Sequence, residues 1–425
     1  MHSPAPAQAS SGERIHAPDL QIFVFALFFI FGGITSLNDV LIPKLKGLFS
    51  LDYAQAMLTQ SAFFAAYFIV SMPAGLLVRR IGYMASAAVG LVIMMTGCLL
   101  FIPASLSATF GTFLVALFVV ATGITIVQVV ANPLISMLGN PATAHSRLTF
   151  AQAFNSLGTT VAPYVGATLI LGTLAQVDPA TLSGEALRLF QVEETTRIVE
   201  TYLGIAAVLT TVAAVVWMSR HRLKEAASAP VELRDALSLL RQSRFAFGVL
   251  GIFLYVGAEV AIGSILVSYL EQSSTLALEP RAAGEHVAFY WGGAMVGRFA
   301  GAGLLRVFSP GKVLATAASC VMLLLLVSSH SVGAMAGWSL LLVGLFNSIM
   351  FPTIFSLACE GLGERAPEGS GLICMAIVGG AIVPPLTGLM ADHMSLAGAL
   401  IVPGLCYAGI AAFGWYARRP YTAAA

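Results

Sequence analysis

Long apolar runs separated by short polar gaps dominate the chain, among them Gln21 to Ile34, Ala85 to Ala104 and Leu314 to Val327. A helix needs about 20 predominantly apolar residues to cross a bilayer. By that measure, spans fall near 20–42, 54–78, 83–105, 109–138, 148–173 and 199–219. After a polar stretch they resume near 246–271, 284–306, 312–333, 334–359, 368–391 and 395–417. The pattern predicts an all-α membrane protein of twelve transmembrane helices in two pseudo-symmetric six-helix bundles. The expected divisions are a polar, flexible N-terminus (1–19), a first bundle (20–219), a linker (220–245), a second bundle (246–417) and a short tail (418–425).

Composition excludes a soluble enzyme. Of the 425 residues, 58% are hydrophobic and 10% charged, where a soluble domain carries charge at about 25% of positions. The 41 glycines and 19 prolines suit membrane helices, which tolerate both and use glycine for close approach. A net charge of +1 gives no hint of a nucleic-acid partner, so the position of each charge matters more than the sum. If both termini are cytoplasmic, the inner segments collect most of the Lys and Arg, including Arg79, Arg80, Arg147, Arg220, Arg244, Arg306, Lys312 and Arg418. The outer segments hold Lys44, Lys46, Arg188, Arg197 and Arg281, beside an acid-rich loop near 178–200. That asymmetry fixes the expected orientation. No cleavable signal pattern precedes span one, which reads as an uncleaved anchor. Cys98, Cys320, Cys359, Cys374 and Cys406 all fall within spans without a CxxC pair and read as buried apolar residues.

Internal echoes support two halves. Ala74-Gly75-Leu76-Leu77 before Arg79-Arg80-Ile81-Gly82 is matched by Ala302-Gly303-Leu304-Leu305-Arg306, and Asn132-Pro133 by Phe351-Pro352. The first turn resembles the signature of the major facilitator superfamily, with Gly75, Arg80 and Gly82 in register. Arg79 occupies the usual Asp position, which removes that acid from its expected salt bridge.

Ionisable groups at membrane depth are costly and point to function; Asp39, Glu259 and Arg298 stand out. Glu259 lies roughly mid-depth in span seven at ~1.5 Å per residue, and reads either as an ion- or hydroxyl-binding group or as a structural partner of Arg298. Asp39 follows Gly32-Gly33 beside Asn38 and reads as a cavity residue or a cap. Arg298 is expected to gate or anchor, where it could snorkel to the inner surface, with direct substrate contact as the alternative. Gln128 and Asn132 lie four apart on one helix face. Gln152, Asn155, Asn347 and Trp291 add further amides and an aromatic plane. Such groups suit a neutral polyol; interhelical hydrogen bonding is the alternative.

Around these residues the sequence resembles the fucose:proton symporter family, which includes bacterial glucose/galactose transporters. The likeness rests on Leu37-Asn38-Asp39 with Pro43, Ala131-Asn132-Pro133, Arg147-Leu148, Ala151-Gln152, Phe154-Asn155-Ser156, Tyr255-Val256-Gly257-Ala258, Gly297-Arg298-Phe299 and Pro352-Thr353-Ile354-Phe355. It implies the major facilitator fold and uptake of a monosaccharide by alternating access, driven by a cation gradient. In that family a span-one Asp and a span-four Glu handle proton and sugar. The first carries over to Asp39, whereas the second is Gln128 here. Glu259 and Trp291-Gly292-Gly293-Ala294-Met295 resemble the glucose/galactose branch.

The resulting expectation is a bacterial inner-membrane, cation-coupled importer of a glucose- or galactose-type hexose, monomeric among its lipids and without a cofactor. The coupling ion is H+ or Na+; Asp39 and Glu259 are the coupling candidates, and Asp39 with Gln128 is a possible sodium cradle. Burial favours the neutral form of a carboxyl group, so proton and sugar loading would be linked. An L-fucose symporter or a passive facilitator is the alternative. No catalytic constellation is visible, and His145, His221, His286 and His393 read as solvated residues at loops or span ends.

Overall fold

The computed structural model describes residues 18–51, 53–166, 182–220 and 236–419. Among these residues twelve helical spans follow in order, and they contain no strand. In the first half they are α1 (Pro18–Leu48), α2 (Tyr53–Ile81), α3 (Tyr83–Leu99 continuing in Phe101–Ser107), α4 (Phe110–Met137), α5 (Ala144–Gly166) and α6 (Gly184–Met218). The second half has α7 (Ser243–Glu271), α8 (Pro280–Val307), α9 (Pro310–His330) and α10 (Ala334–Asn347, then Met350–Cys359). It ends in α11 (Ala366–Met375 through Gly379–His393) and α12 (Leu396–Ala399, then Ile401–Tyr416). Residues 167–173 of the expected span five and 221–235 of the expected linker lie outside the described residues.

Ten helices among the described residues are long and apolar enough to cross a membrane; α5 and α8 are not among them. The exception has a packing cause. These two helices face each other across the join between the halves, so their polar residues meet protein instead of lipid. Elsewhere large apolar side chains such as Ile22, Phe68, Leu250 and Leu323 point outward, as a lipid solvent permits. Leu27, Phe28, Phe113, Tyr202, Phe245 and Tyr255 are fully buried.

The expected outer loop at 178–200 is corrected from Gly184 onward: α6 is already helical there and runs for 35 residues. Ion pairs one turn apart support its exposed face, Glu185 with Arg188 at 3.2 Å and Arg197 with Glu200 at 3.1 Å. Its inner face is anchored by Gln191 Nε2 donating to the Leu48 carbonyl at 2.9 Å and by Thr195 against Ser105 at 2.6 Å. Lys44, counted by sequence among the outer segments, is 3% exposed and pairs with Glu194 at 2.5 Å. Lys44, Gln191 and Thr195 therefore face protein while Glu185, Arg188, Arg197 and Glu200 stay exposed, a division that composition alone could not reveal.

Two seams join the halves. At the first, Gly75 of α2 and Gly371 of α11 bring backbones together: a Cβ on Gly75 would lie 2.6 Å from the Pro367 oxygen, and one on Gly371 2.7 Å from the Ser71 oxygen. Arg79 reaches across to Glu368 at 2.6 Å, and Glu368 is fully buried. The second seam packs α5 on α8, with the Phe150 and Phe299 rings edge to face at 6.0 Å. Between α2 and α3, Gly82 adopts φ 84°, a left-handed conformation that favours glycine. Two of the three signature residues thus have a backbone reason, and Arg80 projects outward.

Candidate functional site

Amides of α4 and α5 form the first wall of the site. Pro133 lies inside α4 one residue after Asn132, which is fully buried. Gln152 Nε2 donates to Asn132 Oδ1 at 3.3 Å, and the Asn132 side chain also meets the Cys374 thiol of α11. Gln128 accepts from the Tyr67 hydroxyl of α2 at 2.7 Å. Asn155 donates to the Phe28 carbonyl of α1 at 3.3 Å and nests against Gly32, where any Cβ would collide with it. The backbone of Asn38 and Asp39 continues α1, but their side chains lie outside the described residues, as does any cradle between Asp39 and Gln128.

The second wall is a tyrosine-rich cluster. Glu259 accepts from the Tyr255 hydroxyl at 2.6 Å, the favourable spacing of residues one helical turn apart. The same hydroxyl lies 3.1 Å from the Asn347 carbonyl, and Asn347 Nδ2 donates to the Tyr290 hydroxyl at 2.8 Å. Asn347 is fully buried, and its side chain also meets the buried Tyr407 hydroxyl. Hydroxyls, an amide and a carboxylate gathered in one cluster offer both donors and acceptors, which suits a hydroxylated ligand or water. Beside them Trp291 is 43% exposed, with its ring edge to face with Tyr290 at 5.1 Å. It also flanks Gly263, whose Cβ position lies 3.7 Å from the indole.

Arg298 connects the walls. Its Nη1 donates to the Gln152 carbonyl at 3.1 Å and to the Ser156 hydroxyl, and its Nε to the Ser348 carbonyl at 3.2 Å. Its guanidinium therefore reaches into the opposite half instead of snorkelling to the surface. No ion pair joins it to Glu259 among the described residues, although the two lie close enough to interact electrostatically. One residue thus ties α8 to the backbone of Gln152, whose side chain holds Asn132.

Further bonds between the halves lie toward the face that carries Arg79, Arg147 and Arg244. Ser146 donates to the Ala302 carbonyl at 2.7 Å and lies 3.2 Å from Arg306 Nε; Ser370 donates to the Val129 carbonyl at 2.8 Å. His145 corrects the expectation of a solvated residue: its ring nitrogens lie 2.6 Å from the Ser356 hydroxyl and 3.0 Å from Glu360, which also pairs with Arg244. It opens α5, opposite the end of α10, so a position next to a loop still meets the other half. Arg147 works within its own half, closing the α4–α5 turn through the Ser136 carbonyl at 2.7 Å and the Asn140 carbonyl at 2.6 Å. Sequence reasoning passed over Glu368 although it opens span eleven. The signal available was Arg79 itself: an arginine in the acid's place calls for an acid across the seam.

Residues 23–377 match the sequence profile of the major facilitator superfamily. The chain is 47% identical over 388 residues to the glucose/galactose transporter of Brucella abortus (strain 9-941), covering 91% of each chain. It is 34% identical over 410 residues to the L-fucose-proton symporter of Escherichia coli (strain K12), covering 93% of this chain and 92% of the relative. Among solved structures, the major facilitator superfamily transporter FucP in its outward conformation superposes with a TM-score of 0.85 at 32% identity, covering 95% of this chain and 99% of that one.

Proposed function

The chain belongs to the major facilitator superfamily, and from that premise we propose that it imports a glucose- or galactose-type hexose by cation symport and alternating access. The observation that carries the reading is the meeting of two unlike walls: Gln128, Asn132, Gln152 and Asn155 on one side, Glu259, Asn347 and Trp291 on the other, with Arg298 spanning them. Amides that both donate and accept match sugar hydroxyls, and an indole plane matches the apolar face of a pyranose. The similarity to relatives named for glucose and galactose supports one of those two sugars over fucose.

Coupling rests on Glu259 and Asp39, with H+ or Na+ as the ion and no other cofactor. A vacant, ionised Glu259 opposes passage of the carrier through a closed state; a proton or sodium ion on it removes that penalty, because an unpaired charge in a low-dielectric interior is costly. Sugar held by Asn347 and Trp291 beside the same carboxylate links the two loads. The basic face, by the distribution of Lys and Arg, is cytoplasmic, with both termini there and the chain in a bacterial inner membrane as a monomer. Bonds between the halves on that face then correspond to closure toward the cytoplasm.

The test is uptake of labelled glucose, galactose and fucose into proteoliposomes under separately imposed proton and sodium gradients. Accumulation of glucose or galactose above equilibrium under one gradient supports symport and identifies the ion. Equilibration without accumulation supports a facilitator instead. Glu259→Gln is expected to abolish gradient-driven accumulation while sparing exchange; unchanged accumulation would remove Glu259 from the coupling role.

A further inference from the structure

Away from the sugar-facing walls, α8 and α9 separate above their tight turn and leave a cleft floored by α10. It measures ≈ 410 Å³ and is lined by Gly297, Ala300, Leu304 and Phe308 of α8, Lys312 and Thr316 of α9 and Ser348 and Ile349 of α10, among others. Its volume falls within the usual range for small-ligand sites, about 300–1,000 Å³. Its chemistry is wrong for a sugar. The lining is almost wholly hydrocarbon, and the Ser348 hydroxyl is already committed to the Leu345 carbonyl at 2.6 Å.

We propose that this cleft binds an anionic phospholipid, with one acyl chain between α8 and α9 and the headgroup phosphate on Lys312. Two observations select that occupant. Leu304 and Phe308, at 48% and 57% exposure, place the cleft's rim on the lipid-facing surface. Lys312 lines the same cleft, is exposed, and has no acidic partner among the described residues. An unpaired cation beside an apolar slot complements an anionic headgroup above an acyl chain, and a basic residue near such a headgroup is attracted to it.

The site is also placed to matter. Its floor is the interruption of α10 between Asn347 and Met350. On this side Ser348 and Ile349 line the cleft; the Ser348 carbonyl accepts from Arg298, and the preceding Asn347 belongs to the tyrosine cluster. A chain seated there fills the space behind the interruption and holds Ser348 toward Arg298. Lipid binding therefore favours the state in which α8 is tied to α5.

Native mass spectrometry of the purified full-length protein, titrated with phosphatidylglycerol or phosphatidylcholine, tests this without sugar or an ion gradient, so its outcome is independent of the transported solute. The wild type is expected to retain phosphatidylglycerol in preference to phosphatidylcholine. Lys312→Ala should weaken phosphatidylglycerol retention about fivefold, and Ala300→Phe, which fills the slot, should lower retention of both lipids. Arg220→Ala, on the same face but away from the cleft, should leave retention unchanged. Equal retention of the two lipids by the wild type, or a Lys312→Ala protein indistinguishable from it, would overturn the proposal; the second outcome does not depend on whether Ala300→Phe folds.

Discussion

Along the α2–α11 seam, glycines bring backbone to backbone and a buried ion pair, Arg79 with Glu368, closes the contact. Along the α5–α8 seam the work falls to side chains: Arg298, Arg306, Ser146 and Ser156, with Phe150 against Phe299. The first seam touches the candidate site where Tyr67 of α2 donates to Gln128 at 2.7 Å. The second shares Gln152 with it, the backbone accepting from Arg298 and the side chain bonding Asn132. A contact made by backbone shape resists change until it parts, whereas one made by an arginine fork can be altered by events at the residues it holds. The comparison assigns stability mainly to α2–α11 and communication with the site mainly to α5–α8.

The largest expected effect is at the buried ion pair. Arg79→Ala leaves Glu368 charged and unpaired and should destabilise the protein by about 3–5 kcal/mol, read as a fall in unfolding temperature in detergent. The double replacement Arg79→Met with Glu368→Leu should recover most of that loss, because removing both charges avoids the desolvation penalty. A single mutant as stable as the wild type would show that this seam does not depend on the pair.

Next comes Arg298→Ala. Loss of charge-assisted hydrogen bonds, each about 1.5–3 kcal/mol, should cut initial sugar uptake by about ten- to a hundredfold. Arg298→Lys should restore little, since a single ammonium cannot reproduce the planar fork. Uptake per folded protein is the measurement, and a defect confined to stability would place Arg298 with the other seam. Smaller still, Gly75→Ala forces a methyl against the Pro367 oxygen and should cost about 1–3 kcal/mol of stability, with the affinity for sugar unchanged; altered affinity would blur the division between the seams.

Much of this was legible in the sequence. Ten of the twelve spans follow from apolar length, and belonging to the superfamily follows from Gly75, Arg80 and Gly82 together with the strings around Asn132, Asn155 and Arg298. What sequence could not supply was which polar residues meet. Glu259 and Arg298 looked like candidates for a pair, yet Arg298 donates to α5 and α10 while Glu259 is held by Tyr255. Tyr67, Tyr290 and Tyr407 passed as ordinary aromatic residues because their hydroxyls acquire meaning only beside Gln128 and Asn347. His145 was misread for a related reason: hydropathy locates a residue along the membrane normal and is silent on which neighbour it faces.

The length of α6 has a practical consequence. At ~1.5 Å per residue its 35 residues extend ~52 Å, against about 30 Å of hydrocarbon. Its first turns, with exposed Glu185 and Arg188, therefore form a rigid mast above one membrane surface, braced by Gln191 and Thr195. A cysteine placed at Arg188 in a variant lacking the native thiols is an address tag fixed to the frame. An impermeant maleimide should label it in intact cells if the mast stands in the periplasm, and only after the membrane is opened if it stands in the cytoplasm.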